Sequence, residues 1–165
     1  MAATLPVPIE FRLPAGWRPT DVDGRAAAEV AFAAVHPEPA DGFTANITIS
    51  GEYRSGATTL TELADDSVER LRRLAESVVV AQRHEIGPLD TPALTQRLVF
   101  SVRIGDAYRD LVQSQVYLCI TDVLDSHRWA VVRLALTAAA SQHDDILEEF
   151  QGFVRTVRLT MDSEA

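Results

Sequence analysis

Three long segments in the second half of the chain alternate apolar and polar residues, and they constrain the fold more than any other feature. They run from Ala93 to Ile104, from Tyr108 to Thr121 and from Arg128 to Thr137. Successive side chains of a strand point to opposite faces of a sheet, so this alternation predicts three strands. Gly105-Asp106 and the segment from Asp122 to Ser126 connect them, and such short connections predict antiparallel hairpins.

The first half of the chain adds shorter strands and one helix. Candidate strands run from Ile9 to Leu13, from Ala28 to Val35, from Thr44 to Tyr53 and from Val79 to Glu85. Thr59-Leu60-Thr61-Glu62 matches a capping box, in which a hydroxyl and a carboxylate satisfy backbone amides at a helix start. Apolar residues then recur at helical spacing and predict one buried stripe on this helix: Leu60, Leu63, Ala64, Val68, Leu71, Leu74, Ala75 and Val78.

A second amphipathic helix is predicted near the C-terminus. Ser141, followed three residues later by Asp144, gives an N-terminal signature for it. Its apolar stripe comprises Ile146, Leu147, Phe150, Phe153, Val154 and Val157. The predicted fold class is therefore α+β, an antiparallel sheet of about six to seven strands flanked by two main amphipathic helices.

Composition restricts the classes of function. A chain of 165 residues and 18.1 kDa fits a single domain spanning residues 1–165. The formal charge of -9 repels nucleic acid, and the arginines of the first helix are interleaved with acids, so we expect no nucleic-acid partner. Met1 to Phe11 lacks the pattern of a secretion signal, and no apolar stretch is long enough to span a bilayer. We expect a cytoplasmic protein that does not insert into membranes.

No residue pattern points to catalysis or to a cofactor. His36, His84, His127 and His143 are scattered, without metal-ligand spacing, and surface turns are their expected place. Cys119 lies within a predicted strand, where a thiol is expected to be inert. We therefore expect a protein that is not an enzyme and has neither metal nor cofactor.

Residues predicted to point outward from the long strands form the candidate partner-binding site. Arginine, tyrosine and tryptophan are enriched at interface hot spots because they bury large areas and keep a directional polar group. The candidates are Arg97, Arg103, Gln113, Gln115, Tyr117, Trp129 and Arg133. The alternative interpretation is an ordinary solvated sheet face. Trp17, which follows a Pro-Ala-Gly turn, is expected to fill the core.

The order of elements and three local segments resemble a known family. The three segments are residues 11–17 (Phe-Arg-Leu-Pro-Ala-Gly-Trp), residues 46–49 (Asn-Ile-Thr-Ile) and a hairpin strand centred on Gln115-Val116-Tyr117. They are similar to the Mog1/PsbP-like α/β sandwich, which includes the bacterial DUF1795 and LpqN-like groups. Relatives of this shape are mostly binding proteins, including a transport-GTPase partner, a photosystem subunit and chaperones for secreted toxins.

This resemblance, together with the predicted outward face, leads to two hypotheses of function. The first is a non-enzymatic protein-binding or chaperone-like module that uses its sheet face, with a partner linked to secretion or a second copy in a homodimer. The alternative is a carrier of a small apolar ligand, with a cavity between the sheet and the C-terminal helix.

Overall fold

A seven-stranded antiparallel sheet with one helix on each side forms the body of the computed structural model. The structure describes residues 8–20, 30–55, 59–87, 92–121 and 128–159. Its elements are β1 (Ile9–Glu10), β2 (Arg18–Thr20), β3 (Val30–Val35), β4 (Asn46–Ser55), α1 (Leu60–Arg72), β5 (Glu76–Ile86), β6 (Ala93–Ile104), β7 (Ala107–Thr121), β8 (Arg128–Ala139), α2 (Ala140–Thr156) and β9 (Arg158–Leu159).

The strand order confirms the predicted fold class. The large sheet runs β2-β3-β4-β8-β7-β6-β5, and all of its neighbouring strands pair antiparallel. The segment predicted as a strand from Ile9 to Leu13 shortens to β1, which pairs with β9 in a separate two-stranded sheet. Strand β2 was not predicted from the sequence. The predicted turn from Asp122 to Ser126 lies outside the described residues.

The two-residue turn between β6 and β7 fixes which side chains share a face. Gly105 has a φ of 62° in this turn, a left-handed conformation that glycine adopts without a steric penalty. Ile104 pairs with Ala107, so Leu98 pairs with Gln113 further along. Even-numbered residues of β6 therefore lie on the same side of the sheet as odd-numbered residues of β7.

Each side of the sheet is covered by a different helix. We call the two sides the α1 side and the α2 side. On the α1 side, Leu60, Leu63 and Ala64 pack against Leu94, Tyr117 and Val131, and Val68 packs near Leu98 and Phe100. On the α2 side, Ile146, Phe150 and Phe153 pack against apolar residues of β4 and β8. Trp17 joins this second core, as predicted, and its indole N–H donates to Glu149 Oε1 at 2.9 Å.

Helix α1 begins as predicted but ends earlier. The Glu62 amide donates to the Thr59 hydroxyl at 3.1 Å, and the Thr59 amide donates to the Glu62 carboxylate at 3.3 Å, which completes the capping box. The helix ends at Arg72, whereas the apolar stripe predicted a helix as far as Val78. Leu74, predicted to be buried, is 76% exposed, because the chain has already turned toward β5.

Helix α2 carries the predicted stripe but not the predicted cap. Ala139 occupies the N-cap position and makes no side-chain capping hydrogen bond. The Ser141 hydroxyl instead donates to the carboxylate of Asp41 in the β3–β4 connection. The signature of Ser141 and Asp144 was therefore wrong as a cap. The helix follows β8 directly, so packing on the sheet fixes its start.

Candidate functional site

The structure divides the seven candidate partner-binding residues between the two sides of the sheet. Two of them, Arg97 and Arg103, lie on the α2 side. The other five lie on the α1 side, namely Gln113, Gln115, Tyr117, Trp129 and Arg133. The prediction that all seven share one outward face was wrong. The turn at Gly105-Asp106 places the two groups on opposite sides, because it pairs even positions of β6 with odd positions of β7.

Gln115 and Tyr117 lie beneath α1 and not at the surface. Their side chains are 1% and 3% exposed, so the outward orientation predicted for them was wrong. The amide oxygen of Gln115 accepts from Gln96 Nε2 at 2.6 Å and from the Tyr117 hydroxyl at 3.0 Å. Its amide nitrogen donates to the hydroxyl of Ser67 in α1 at 2.9 Å and to Gln113 Oε1 at 2.5 Å. A buried amide with four partners fixes α1 on the sheet.

The remaining members of this group extend the same polar network. Gln113 Nε2 donates to Thr137 Oγ1 at 2.8 Å, and Arg133 donates to the Ser67 hydroxyl at 3.2 Å. Trp129 is half-buried against the apolar residues beneath α1. These three side chains therefore contribute to the packing of α1 as well as to the surface at its margin.

At the sheet edge the network ends in an ion pair. Arg83 donates to Gln96 Oε1 at 2.9 Å through Nε and to Asp65 of α1 at 2.7 Å through Nη1. Gln96 also donates to the backbone carbonyl of Ala64 at 3.3 Å. Polar side chains thus connect β5, β6 and β7 to one helix, which is a structural role.

A second polar group lies on the α2 side. The Ser114 hydroxyl and His143 Nε2 are 2.8 Å apart, and His143 Nδ1 lies 3.1 Å from Asp144 Oδ1. His143 is 1% exposed, so the surface position predicted for it was wrong. Burial lowers the pKa of His143, and the nearby charge of Arg97 lowers it further, whereas the hydrogen bond that His143 donates to the Asp144 carboxylate and the charge of Asp144 oppose this. The surroundings of His143 therefore favour the neutral imidazole.

The chain Ser114–His143–Asp144 has the connectivity of a hydrolytic triad, but its surroundings differ from those of one. Ser114 lies in the middle of β7, whose backbone pairs with β6 on one side and β8 on the other. The neighbouring amides are therefore engaged and cannot stabilise an oxyanion. Asp144 is 86% exposed, so water screens its charge. The arrangement fits a buried hydrogen bond that fixes the first turn of α2.

An open cleft of about 400 Å³ separates α2 from the β5–β6–β7 part of the sheet. Arg97 and Ser114 line one end of it. Apolar side chains from β7 and α2 line its length, namely Val116, Leu118, Leu147, Phe150 and Val154. The volume falls within the usual range of small-molecule sites, so the cleft is large enough for a ligand.

An exposed corner of the α2 side lies where β5 and β6 extend past the start of α2. Arg103 is in this corner, and its guanidinium carbon lies 5.9 Å from the centroid of the Tyr108 ring. Val79 pairs with Val99, which lies four residues before Arg103 on β6, and these two valines are 56% and 37% exposed. We define the exposed corner by Val79, Val99, Arg103 and Tyr108.

The outer edge of β5 is unpaired in the described part of the chain. Strand β5 is the last strand of the sheet and hydrogen-bonds only to β6 there. Its register slips between Glu76 and Val79 and again between Val80 and Gln82, which leaves a regular edge from Gln82 to Ile86. An unpaired edge offers backbone donors and acceptors to another strand.

Metal-binding and membrane-spanning features are absent from the residues that the structure describes. These residues contain no group of three or more histidine, cysteine or acidic side chains able to hold a metal ion. None of the described helices combines the length and the apolar composition that crossing a bilayer requires. Cys119 is half-buried beside the residues under α1, and burial raises the pKa of its thiol.

The sequence contained two signals for the features that were missed. His143 lies three residues before Ile146 and so continues the buried stripe of α2, which predicts burial at that position. The two-residue turn at Gly105-Asp106 sets the pairing of β6 with β7, and that pairing separates Arg97 from Gln115. The cleft had no comparable local signal, because it depends on where α2 lies across the sheet.

Comparison with solved structures identifies this arrangement. LpqN of Mycobacterium tuberculosis, described as involved in cell envelope biogenesis, superposes with a TM-score of 0.64 over 94% of this chain and 86% of that one, at 14% identity. Cyanobacterial PsbP of Synechocystis gives a TM-score of 0.58 over 92% and 86%, at 18% identity. The chain has the Mog1/PsbP-like fold.

The Mog1/PsbP-like fold extends to a eukaryotic protein. The Ran-binding protein Mog1p of Saccharomyces cerevisiae gives a TM-score of 0.58 over 92% of this chain and 89% of that one, at 12% identity. Neither a protein-family model nor a curated protein sequence matches the chain. The Mog1/PsbP-like fold predicted from the sequence is thus confirmed, whereas the DUF1795 name stays a prediction.

Proposed function

We propose that this protein is a non-enzymatic protein-binding module of the Mog1/PsbP-like fold. The free edge of β5 carries the proposal, since Gln82 to Ile86 present one side of a regular ladder to which no described strand pairs. The proposed occupant is an extended segment of a partner protein that adds to β5 as a further strand. The Ran-binding description of Mog1p agrees with a protein partner but does not identify one for this chain.

Exposed apolar side chains next to this edge would add binding energy. Val79 and Ile86 are 56% and 51% exposed and lie on the same side of the sheet, because they pair with Val99 and Ala93. Arg103 and Tyr108, which belong to the exposed corner, are residue types common at interface hot spots. Of the seven candidates named from the sequence, Arg103 is the one that fits this surface best.

Two substitutions on β5 test the proposal. Val79→Lys with Ile86→Lys places charges at exposed positions, where folding is little affected but strand addition is opposed. Tagged full-length protein is purified from its native host, and partners are identified by mass spectrometry. We expect a partner to copurify with the wild type and to be lost from the double variant. Hydrogen exchange of the complex should show protection of the amides from Gln82 to Ile86.

Leu74→Lys is the matched control, since it changes an equally apolar, exposed residue just before β5. It should retain the partner. If the double variant recovers the same partner at wild-type level, β5 is not the site. Light scattering of the purified chain tests for a homodimer. If the wild type is a dimer and the double variant is a monomer, the occupant of the β5 edge is a second copy of the chain.

The prediction of a cytoplasmic protein linked to secretion rests on the sequence and its resemblance alone.

We propose, as a second candidate function, that the protein carries a small apolar ligand in the cleft beside α2. The cleft of about 400 Å³ lies between the sheet and the C-terminal helix, where the sequence predicted a cavity, although it is open to solvent. Binding of a fluorescent apolar probe, displaced by a competing hydrocarbon ligand, tests this function. Unchanged probe fluorescence at saturating protein concentration would contradict it.

A further inference from the structure

The cleft beside α2 has a polar end and an apolar end. At the polar end, Gln82, Arg97 and Ser114 lie side by side across β5, β6 and β7. Four residues further along each strand, Ile86, Ala93 and Leu118 form the corresponding row. The rise of a β-strand separates the two rows by about 13 Å. Helix α2 covers the space between the two rows with Leu147, Phe150 and Val154.

Arg97 carries the positive charge of the polar end, and the described acid on which this charge is seen to act is the exposed Asp144, whose pKa the hydrogen bond from His143 lowers and this charge lowers further. The Nε of Arg97 is buried without a hydrogen-bond partner, and none of the ion pairs formed by the described residues includes it. Its charge already acts on this end of the cleft, because it lowers the pKa of the neighbouring His143. Arg97 as a whole is half-buried, but a buried guanidinium nitrogen without a partner is unfavourable, and an anion placed beside it would remove that cost.

We infer that the cleft binds a medium-chain carboxylate, with the carboxylate on Arg97 and the hydrocarbon chain along Val116, Leu118 and Phe150. The inference rests on the second proposal above and adds the charge and shape of the ligand. A guanidinium presents two parallel N–H donors that match the two oxygens of a carboxylate. Among the strand residues that line the cleft, Arg97 is the one arginine, and its single positive charge balances a carboxylate better than a doubly charged phosphate; Arg155, the other lining arginine, belongs to α2.

Decanoate and 1-decanol are the probes, because they share a chain of about the length of the cleft and differ in the charge of the head group. Binding to the full chain is measured by isothermal titration calorimetry and by amide chemical shifts. We expect decanoate to bind and to shift the amides around Arg97 and Leu147. Arg97→Gln should weaken decanoate about tenfold to a hundredfold, which is the usual effect of removing a charge-assisted hydrogen bond. Binding of 1-decanol should be weaker and unaffected by this substitution.

Two controls separate the cleft from general charge effects and from misfolding. Arg158→Gln removes the same charge from an exposed arginine that pairs with Glu10, and it should bind decanoate like the wild type. Arg97→Gln should unfold at the same temperature as the wild type or a higher one, since it removes a half-buried cation whose Nε has no hydrogen-bond partner. Thr95→Phe fills the cleft from its floor and should abolish the binding of decanoate.

Three results would overturn the inference. If decanoate and 1-decanol bind with equal affinity and Arg97→Gln changes neither, the protein would still carry apolar ligands, but the charge of Arg97 would have no role in binding. The absence of binding by both probes would reject the carrier function as well. Unchanged decanoate binding by Thr95→Phe would place the site outside the cleft.

Discussion

Replacing Gln115 with leucine tests whether the polar residues of β7 are interior. If Gln115 were at the surface, as its alternation with Val116 first suggested, Gln115→Leu would change the free energy of unfolding by less than about 0.5 kcal/mol. The structure instead buries it beneath α1 with four hydrogen bonds. Leucine has a similar volume, so the cost comes from the partners that lose their bonds and not from a cavity.

The expected cost follows from counting those partners. Gln96 keeps its bond to the Ala64 carbonyl, and Ser67 keeps its contact with Arg133. The Tyr117 hydroxyl and the Gln113 amide oxygen lose the partner that Gln115 provided. An unsatisfied buried polar group costs about 1–3 kcal/mol, and Gln113 is only half-buried. We therefore expect a loss of about 2–4 kcal/mol.

Urea denaturation at pH 7, followed by circular dichroism, measures this loss. Adding Tyr117→Phe to Gln115→Leu removes one orphaned hydroxyl, so the double variant should be more stable than the sum of the single effects predicts. A loss below about 0.5 kcal/mol for Gln115→Leu, or strictly additive effects of the two substitutions, would refute the buried network.

Three further predictions concern α1, His143 and Cys119. Thr59→Ala removes half of the capping box and should lower the free energy of unfolding by about 1 kcal/mol in urea denaturation, whereas no change would mean that the helix start is not fixed there. Burial lowers the pKa of His143 below its usual 6.5 in the folded state, so the unfolded chain takes up a proton first as the pH falls. Stability should therefore decrease below about pH 6.5 and level off below the folded pKa, and His143→Gln should reduce this dependence in melting curves measured between pH 7.5 and 5.5; equal slopes would contradict a neutral, buried His143. The raised pKa of Cys119 should make its reaction with a thiol reagent at pH 7 slower than that of an unfolded control, and equal rates would argue against its burial.

The first helix shows how far local sequence can fix structure. Thr59 and Glu62 satisfy backbone amides within one turn, so the start of α1 was predictable to the residue. Its end was not, because Leu71, Leu74 and Val78 keep the helical spacing although the chain leaves the helix at Arg72. The pairing of β5 with β6 decides that end, and such pairing is a long-range interaction.

The candidate site was predictable only in part for a related reason. Alternation along β6 and β7 correctly separated Arg97 from Leu98 and Gln115 from Val116. Alternation does not indicate which of the two sets of side chains in each strand a helix covers, because both sides of this sheet carry a helix. Counting through the turn at Gly105-Asp106 would have placed Arg97 and Gln115 on opposite sides.

By itself, therefore, the sequence determined the long strands, the two helices, the antiparallel hairpins and the class of fold, since each depends on spacing or on contacts within a few residues. The tertiary structure alone decided that Gln115 is interior, that Arg97 lines the cleft beside α2, and that β5 is an edge strand in the described part of the chain. These properties depend on the order of the strands and on where α1 and α2 lie across the sheet. That position is set by packing between residues far apart in the chain, which no local pattern records.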